Sequence, residues 1–244
     1  MENIKLSIII PCYNEGDKVL NNIIKIENNL KLKNINYEII IVNDGSTDNT
    51  KEALSYFSEE STNNYISIIN YDQNKGKGYA IKTGIEKAIG EWVLFMDADL
   101  STDIIAIDEV LRNMGNYDVI IGSRHNKDTI LKKKQGITRT FIGRVCNILT
   151  NLIVPLKLSD TQCGFKAFEG TLAKNIIKKQ KINRFAFDVE YLYISKLNKK
   201  NILEIPIIWE NDEDSKVSIV RSSFSFLKDL IKIRLNKKKY FFKS

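Results

Sequence analysis

Residues 91–101 read Glu-Trp-Val-Leu-Phe-Met-Asp-Ala-Asp-Leu-Ser, or EWVLFMDADLS. The apolar run from Trp92 to Met96 stops at two carboxylates, Asp97 and Asp99, spaced i, i+2. A run apolar at every position predicts a strand buried on both faces, so both acids stand at its mouth. Two carboxylates held there are costly unless a positive charge shares the site. A divalent cation, Mg²⁺ or Mn²⁺, favours such hard oxygen ligands. The segment therefore implies a metal-dependent enzyme with a phosphate-bearing ligand.

Working outward, the first half alternates strand and helix signals. Lys5–Ile10, Tyr37–Val42 and Ile66–Tyr71 read as buried strands, and Glu91–Met96 is the central one. Val19–Leu32, Thr47–Glu60 and Gly78–Ile89 read as the helices between them. This alternation predicts an α/β fold with a mostly parallel sheet covered on both sides. Ligands of such sheets bind beyond the carboxyl ends of the strands, which brings Pro11–Glu15, Asp44 and the acid pair to one crevice. Further on, Asp118–Ile121 and Ile202–Ile208 read as strands, Arg139–Ile153 and Asp188–Leu197 as helices, and 126–136 as a mobile polar loop. Phe224, Leu227, Ile231 and Leu235 form one helical stripe near the C-terminus.

The bulk numbers fit one large domain: 244 residues, 43% hydrophobic, with a net charge of +7. The basic balance suits nucleic acid, an anionic membrane surface or polyphosphate ligands, or it reflects a Lys-, Asn- and Ile-rich composition. Cys12, Cys146 and Cys163 are odd in number and lack metal or disulfide spacing, which suggests a reducing cytoplasm. No run of 18 apolar residues exists to span a bilayer. No Gly-Lys-Ser/Thr phosphate loop occurs, and Gly76-Lys77-Gly78 lacks the third glycine of a dinucleotide fingerprint.

PCYNEGD (11–17), VNDGSTDNT (42–50), NKGKGYAIKTG (74–84) and MDADLS (96–101) occur in that order. Together they resemble the nucleotide-sugar-binding half of inverting family 2 glycosyltransferases, which have the GT-A fold. IGSR (121–124), RTFIGRVCN (139–147), DTQCGFKAF (160–168), FDVEYLY (187–193) and the closing Trp209-x5-Ser-Lys-Val extend the resemblance to the polyprenyl-phosphate hexosyltransferases. DTQCGFK is most similar to the dolichyl-phosphate β-glucosyltransferases, and the likeness to dolichol-phosphate mannose synthases is looser.

The resemblance implies a GT-A catalytic domain over residues 1–220 and a basic amphipathic extension over 221–244. It implies transfer of a hexose, glucose from UDP-glucose, to a polyprenyl phosphate with inversion to a β-linked lipid sugar. The alternatives are GDP-mannose as donor, or a sugar hydroxyl as acceptor in glycan assembly. It further implies that Asp97 and Asp99 hold the metal, and that Ala98, Asp44, Pro11, Tyr13 and Glu15 line the donor pocket with them. Asp44 is expected to accept from base or ribose, and Tyr13 to stack on the base or to be a loop aromatic. Arg124 is expected to neutralise donor phosphate. Asp99, Arg124 and Asp188 are the expected catalytic residues, and Ser101 a further ligand position.

Arg139, Arg144, Lys216 and Arg221 are the candidates for the acceptor phosphate. A hydroxyl acceptor would need Asp188 or Glu190 as general base. A phosphate acceptor is already anionic near neutral pH, and Asp188 would then orient the sugar or hold a phosphate-binding arginine. His125 is the only histidine, a base or a surface residue. The eukaryotic glucosyltransferases carry an N-terminal membrane helix and bacterial relatives often carry C-terminal spans, neither of which appears in this sequence. Peripheral contact with the inner membrane face is therefore expected. Lys228–Lys243, with seven basic residues among apolar ones, and Arg139–Leu158 are the candidate surfaces. Nucleic acid is not an expected partner, and the oligomeric state is not readable.

Overall fold

The computed structural model describes residues 3–60, 65–133, 146–210 and 219–242. Seven strands form the main sheet in the order β3-β2-β1-β4-β7-β5-β8. β1 (Leu6–Cys12), β2 (Tyr37–Asp44), β3 (Ile66–Tyr71) and β4 (Trp92–Phe95) are mutually parallel, as are β5 (Val119–Ser123) and β8 (Ile202–Pro206). Every residue of β4 is buried, as its unbroken apolar run predicts.

The exception to the parallel pattern is β7 (Lys166–Glu169), which inserts antiparallel between β4 and β5. Two more strands lie outside the main sheet. β6 (Ile130–Lys133) pairs with β9 (Ile208–Glu210), so the segment expected as a mobile loop carries a strand. The strand expected over 202–208 ends instead at Pro206, which lacks the N–H needed to continue the ladder.

Alternate residues of the strands feed two cores. On one face Leu6, Ile8 and Ile10 pack with Val19, Ile23, Ile26 and Leu30 of α1 (Lys18–Lys31) and with Ile107 and Val110 of α4 (Ala106–Asn113). On the other, Ile9, Ile40 and Phe95 pack with α3 (Lys77–Lys87), α6 (Gly170–Lys179) and α7 (Phe187–Leu197). The helix α2 (Thr50–Glu60) joins β2 to β3, and residues 146–153 form α5.

The last helix, α8 (Ile219–Leu235), joins the second core through Phe226, Leu230 and Ile233, followed by Tyr240. Residues on both sides of position 220 thus share one core. The stripe expected from sequence lies about 140° round the helix from this buried face. Accordingly Ile231 is 48% and Leu235 79% exposed. Among the described residues no helix is long and apolar enough to cross a membrane.

Candidate active site

The carboxyl ends of β1, β2, β4 and β5 face one edge of the sheet. Because β7 runs the other way, its amino end, with Gly164 and Lys166, arrives at the same edge. The loops there clamp one another. Asn14 N donates to Ser46 Oγ at 2.9 Å, Thr47 N to Asn14 Oδ1 at 2.8 Å, and Gly16 N to Thr50 Oγ1 at 2.8 Å.

Asp44 is only 3% exposed and is saturated by the protein. Oδ1 accepts from Tyr71 Oη at 2.7 Å and Lys75 N at 2.8 Å, and Oδ2 from Gly76 N at 2.9 Å and Asn74 Nδ2 at 3.0 Å. These four contacts shape the 74–76 turn, and a base or ribose donor to Asp44 would share its oxygens with them. Gly76 has φ of +101°, and a Cβ there would meet the Asn183 carbonyl at 2.6 Å. Lys75 Nζ caps the turn, 4.6 Å from the Tyr79 ring centroid and 5.3 Å from that of Tyr71.

The next residue, Lys77, opens α3 and pairs through its ammonium with Asp97 Oδ1. Burial alone would lower the pKa of Lys77. The charges of Asp97 and Asp188, with the hydrogen bond to Asp97, overcome that and hold it above the usual lysine range. Asp99 accepts from Ser101 N at 2.9 Å. Burial, reinforced by the Asp97 charge, raises its pKa. Between Asp99 and Ser101, Leu100 sits in the left-handed region at φ of +55°, a strained position that turns the chain away from the acid pair. Ala98 is buried, and its carbonyl accepts from Asn22 Nδ2 at 2.8 Å.

Opposite Asp97 stands Gly164, where a Cβ would lie 1.9 Å from Asp97 Oδ2. Among the described residues no cluster of three or more His, Cys, Asp or Glu is set to hold a metal alone. The donor set nevertheless fits a Mg²⁺- or Mn²⁺-type ion. Two carboxylates stand together with the negative charge of Asp99 under-compensated, and such ions complete their shell from water and substrate phosphate.

Arg124 and Asp160 form a two-point fork, Nε to Oδ2 at 2.7 Å and Nη2 to Oδ1 at 2.8 Å, with Arg124 N on Oδ2 at 3.0 Å. Burial would raise the Asp160 carboxyl, but the arginine holds it well below the usual range. Arg124 also lies 5.9 Å from the Trp209 ring centroid. Two of its three guanidinium nitrogens are thus committed to a protein carboxylate, which leaves Nη1 for a phosphate oxygen.

Among the described residues the partner of Asp188 is a lysine, not an arginine. Asp188 pairs with Lys166 at 2.8 Å, and that lysine, wholly buried, also donates to the Cys163 carbonyl. Glu190 accepts from Lys181 N at 2.8 Å, Ile182 N at 2.9 Å and Tyr240 Oη at 2.6 Å. Burial raises the pKa of both acids.

Pro11 and Glu15 are half-buried at the rim, Tyr13 is 43% exposed, and His125 lies on the surface. Arg139, Arg144 and Lys216 lie outside the described residues, while Arg221 falls within α8. Sequence reasoning passed over Lys77, Asp160, Gly164 and Lys166 as individuals, although each sits inside a quoted motif. A lysine at a glycine turn that opens a helix was the available signal for Lys77.

This edge, with an acid pair at the mouth of the central strand and a glycine-lysine turn beside it, defines a sugar-transferase fold. The chain matches the family model "Glycosyl transferase family 2" over residues 7–176, and it belongs to that family. It is 34% identical to a dolichyl-phosphate β-glucosyltransferase of Dictyostelium discoideum, over 96% of this chain and 75% of that protein. The Saccharomyces cerevisiae enzyme of that name is 32% identical over 96% and 75%, respectively.

Among solved structures it is similar to glucosyl-3-phosphoglycerate synthase from Mycobacterium tuberculosis. The TM-score is 0.66 at 14% identity, covering 96% of this chain and 80% of that one. S. aureus TarS in complex with UDP-GlcNAc gives 0.59 at 16% identity, covering 96% and 67%. These likenesses establish the GT-A fold. One crystal of the synthase contains Mn²⁺ and UDP.

Proposed function

We propose that the chain transfers glucose from UDP-glucose to a polyprenyl phosphate, giving a β-linked lipid monophosphosugar. The names of the relatives that span most of the chain support the lipid-phosphate acceptor and the sugar. The observation that carries the reading is the state of the two candidate bases. Asp188 is ion-paired to a buried lysine, and Glu190 is filled by three donors. Neither is poised to deprotonate a sugar hydroxyl.

A phosphomonoester needs no base, since its second pKa is about 6. Its oxygen attacks the anomeric carbon, the bond to the nucleoside diphosphate breaks on the opposite face, and configuration inverts. The protein contributes alignment and exclusion of water. Tyr13, Pro11 and Glu15 wall the nucleoside, and Arg124 offers its remaining nitrogen to phosphate. Asp97 and Asp99 would hold the divalent ion, which when bound offsets charge on the departing diphosphate. Lys77 keeps the acid pair tolerable in the meantime.

Membrane contact in this reading is peripheral, at the cytoplasmic face, through the outward stripe of α8 and through α5, where Ile148 is 60% and Leu152 74% exposed. The test is incubation with UDP- and GDP-sugars, Mg²⁺ or Mn²⁺ and a short polyprenyl phosphate, with mass detection of the lipid. Glucosylated lipid from UDP-glucose is the expected result. Failure of every donor to yield lipid-linked sugar in detergent overturns the reading.

A further inference from the structure

Glu190 is wholly buried on α7, and its carboxylate lies in the joint between α7, the 181–182 segment and the segment after α8. Its two oxygens hold the backbone of Lys181 and Ile182, and the Tyr240 hydroxyl reaches the same carboxylate from beyond α8. Tyr240 is itself fully buried, set edge-on to Tyr193 with centroids 6.3 Å apart. Asn198 fixes the backbone around it, donating to the Tyr240 carbonyl at 3.0 Å and accepting from Phe242 N at 2.9 Å. Lys232 of α8 grips the same 181 segment, donating from Nζ to the Lys181 carbonyl at 3.2 Å.

The 180–183 segment in turn braces the glycine-lysine turn. Tyr79 N donates to the Asn183 carbonyl at 3.0 Å, and Gln180 Nε2 to the Gly78 carbonyl at 2.9 Å. Tyr191 Oη holds Gln180 Oε1 at 2.7 Å. The fit has no slack, since a Cβ on Gly78 would lie 2.6 Å from Phe187 Cβ. This turn presents the Lys75 and Gly76 amides to Asp44 and the Lys77 ammonium to Asp97. A path of hydrogen bonds, joined through the 180–183 and 75–79 backbone, thus runs from the segment after α8 to both aspartates.

We propose that Glu190 and Tyr240 are positioning residues for the donor: the C-terminal segment, acting through their hydrogen bond, sets the 74–79 turn. The proposal rests on reading that turn as part of the donor site. The bond goes to a carboxylate buried from water, where its loss is strongly felt. The same helix carries the exposed Ile231 and Leu235, so whatever that face meets is linked mechanically to the donor turn.

The test is amide hydrogen exchange at Lys75, Gly76 and Tyr79, with donor KM and kcat measured alongside. Tyr240→Phe keeps the ring and removes only the hydroxyl. Tyr193→Phe removes a different bond between α7 and α8, from Arg234 Nη1 at 2.9 Å, that lies off the path. Tyr240→Phe is expected to speed exchange of the three amides by about tenfold and raise donor KM several-fold, with kcat within about twofold. Tyr193→Phe is expected to leave the three amides within about twofold of wild type.

The proposal is overturned if Tyr240→Phe folds and the turn exchanges at the wild-type rate, or if both variants loosen it equally. Should Tyr240→Phe not fold, Glu190→Gln is read by the same exchange measurement. Should the wild type turn over no UDP-sugar, the donor reading fails, while the exchange result still decides whether the segment sets the turn.

Discussion

Gly164 leaves the space that the Asp97 carboxylate occupies: a Cβ at that position would sit 1.9 Å from Oδ2. The two residues come from distant parts of the chain and meet only because β7 lies beside β4. Gly164→Ala is expected to displace the Asp97 side chain while the sheet persists. An error of about 1 Å in a catalytic group can cost roughly 10² in rate, so kcat/KM should fall by about that factor with a small change in melting temperature. A variant with wild-type kcat/KM would show that the position of Asp97 is not critical.

Lys166 and Asp188 form a buried ion pair in which each charge depends on the other. Lys166→Met or Asp188→Leu alone is expected to cost about 3–5 kcal/mol, because one buried charge is left uncompensated. The double variant Lys166→Met/Asp188→Leu should recover much of that loss. Urea unfolding of the three variants checks this. If the double variant is as unstable as the sum of the singles, the pair is not the source of the cost.

The pH dependence of stability should carry the signature of Asp160. Its pKa is depressed in the folded state by Arg124. Its contribution is therefore complete above the unfolded carboxylate value, about 3.9, and lost as pH falls toward the folded value. Asp99, Asp188 and Glu190, with raised values, work in the opposite sense, their contributions being lost as pH rises. The difference between wild type and Asp160→Asn isolates the first effect. It should be about 3 kcal/mol near neutrality and shrink below roughly pH 4. A difference that stays constant down to roughly pH 2 would refute the assignment.

The outward face of α8 should bind anionic lipid. Ile231 and Leu235 stand exposed on a helix that also bears Lys228, Lys232 and Arg234. Each basic residue near such a surface is worth about 1 kcal/mol. Ile231→Ser/Leu235→Ser should reduce flotation with phosphatidylserine vesicles by about tenfold, with melting temperature unchanged. Equal flotation of both proteins would place the contact elsewhere.

The parallel half of the sheet was legible because β1, β2 and β4 are apolar at nearly every position, and only a doubly covered strand tolerates that. β7 was not legible as a strand. It is four residues long, and its first residue is a lysine, whose burial is explained only by Asp188, twenty-two positions away. Asp44 was singled out by its place at the end of β2, but its partners at 71–76 lie beyond that strand, so sequence could not show that its oxygens already hold the 74–76 turn. The α8 pattern holds two apolar stripes, and periodicity alone does not say which one a core will claim.

The antiparallel seat of β7 also bears on how the molecule is born. A ribosome that has delivered the first four strands has made β4 with one bare edge, and that edge stays bare until Glu169 emerges to pair with Trp92. Gly164 reaches Asp97 only at that moment. Such distant pairing is slow to form. Synthesis therefore passes through no half-built transferase: the pocket closes late, and a product cut short before β7 keeps an adhesive sheet edge in place of an active site.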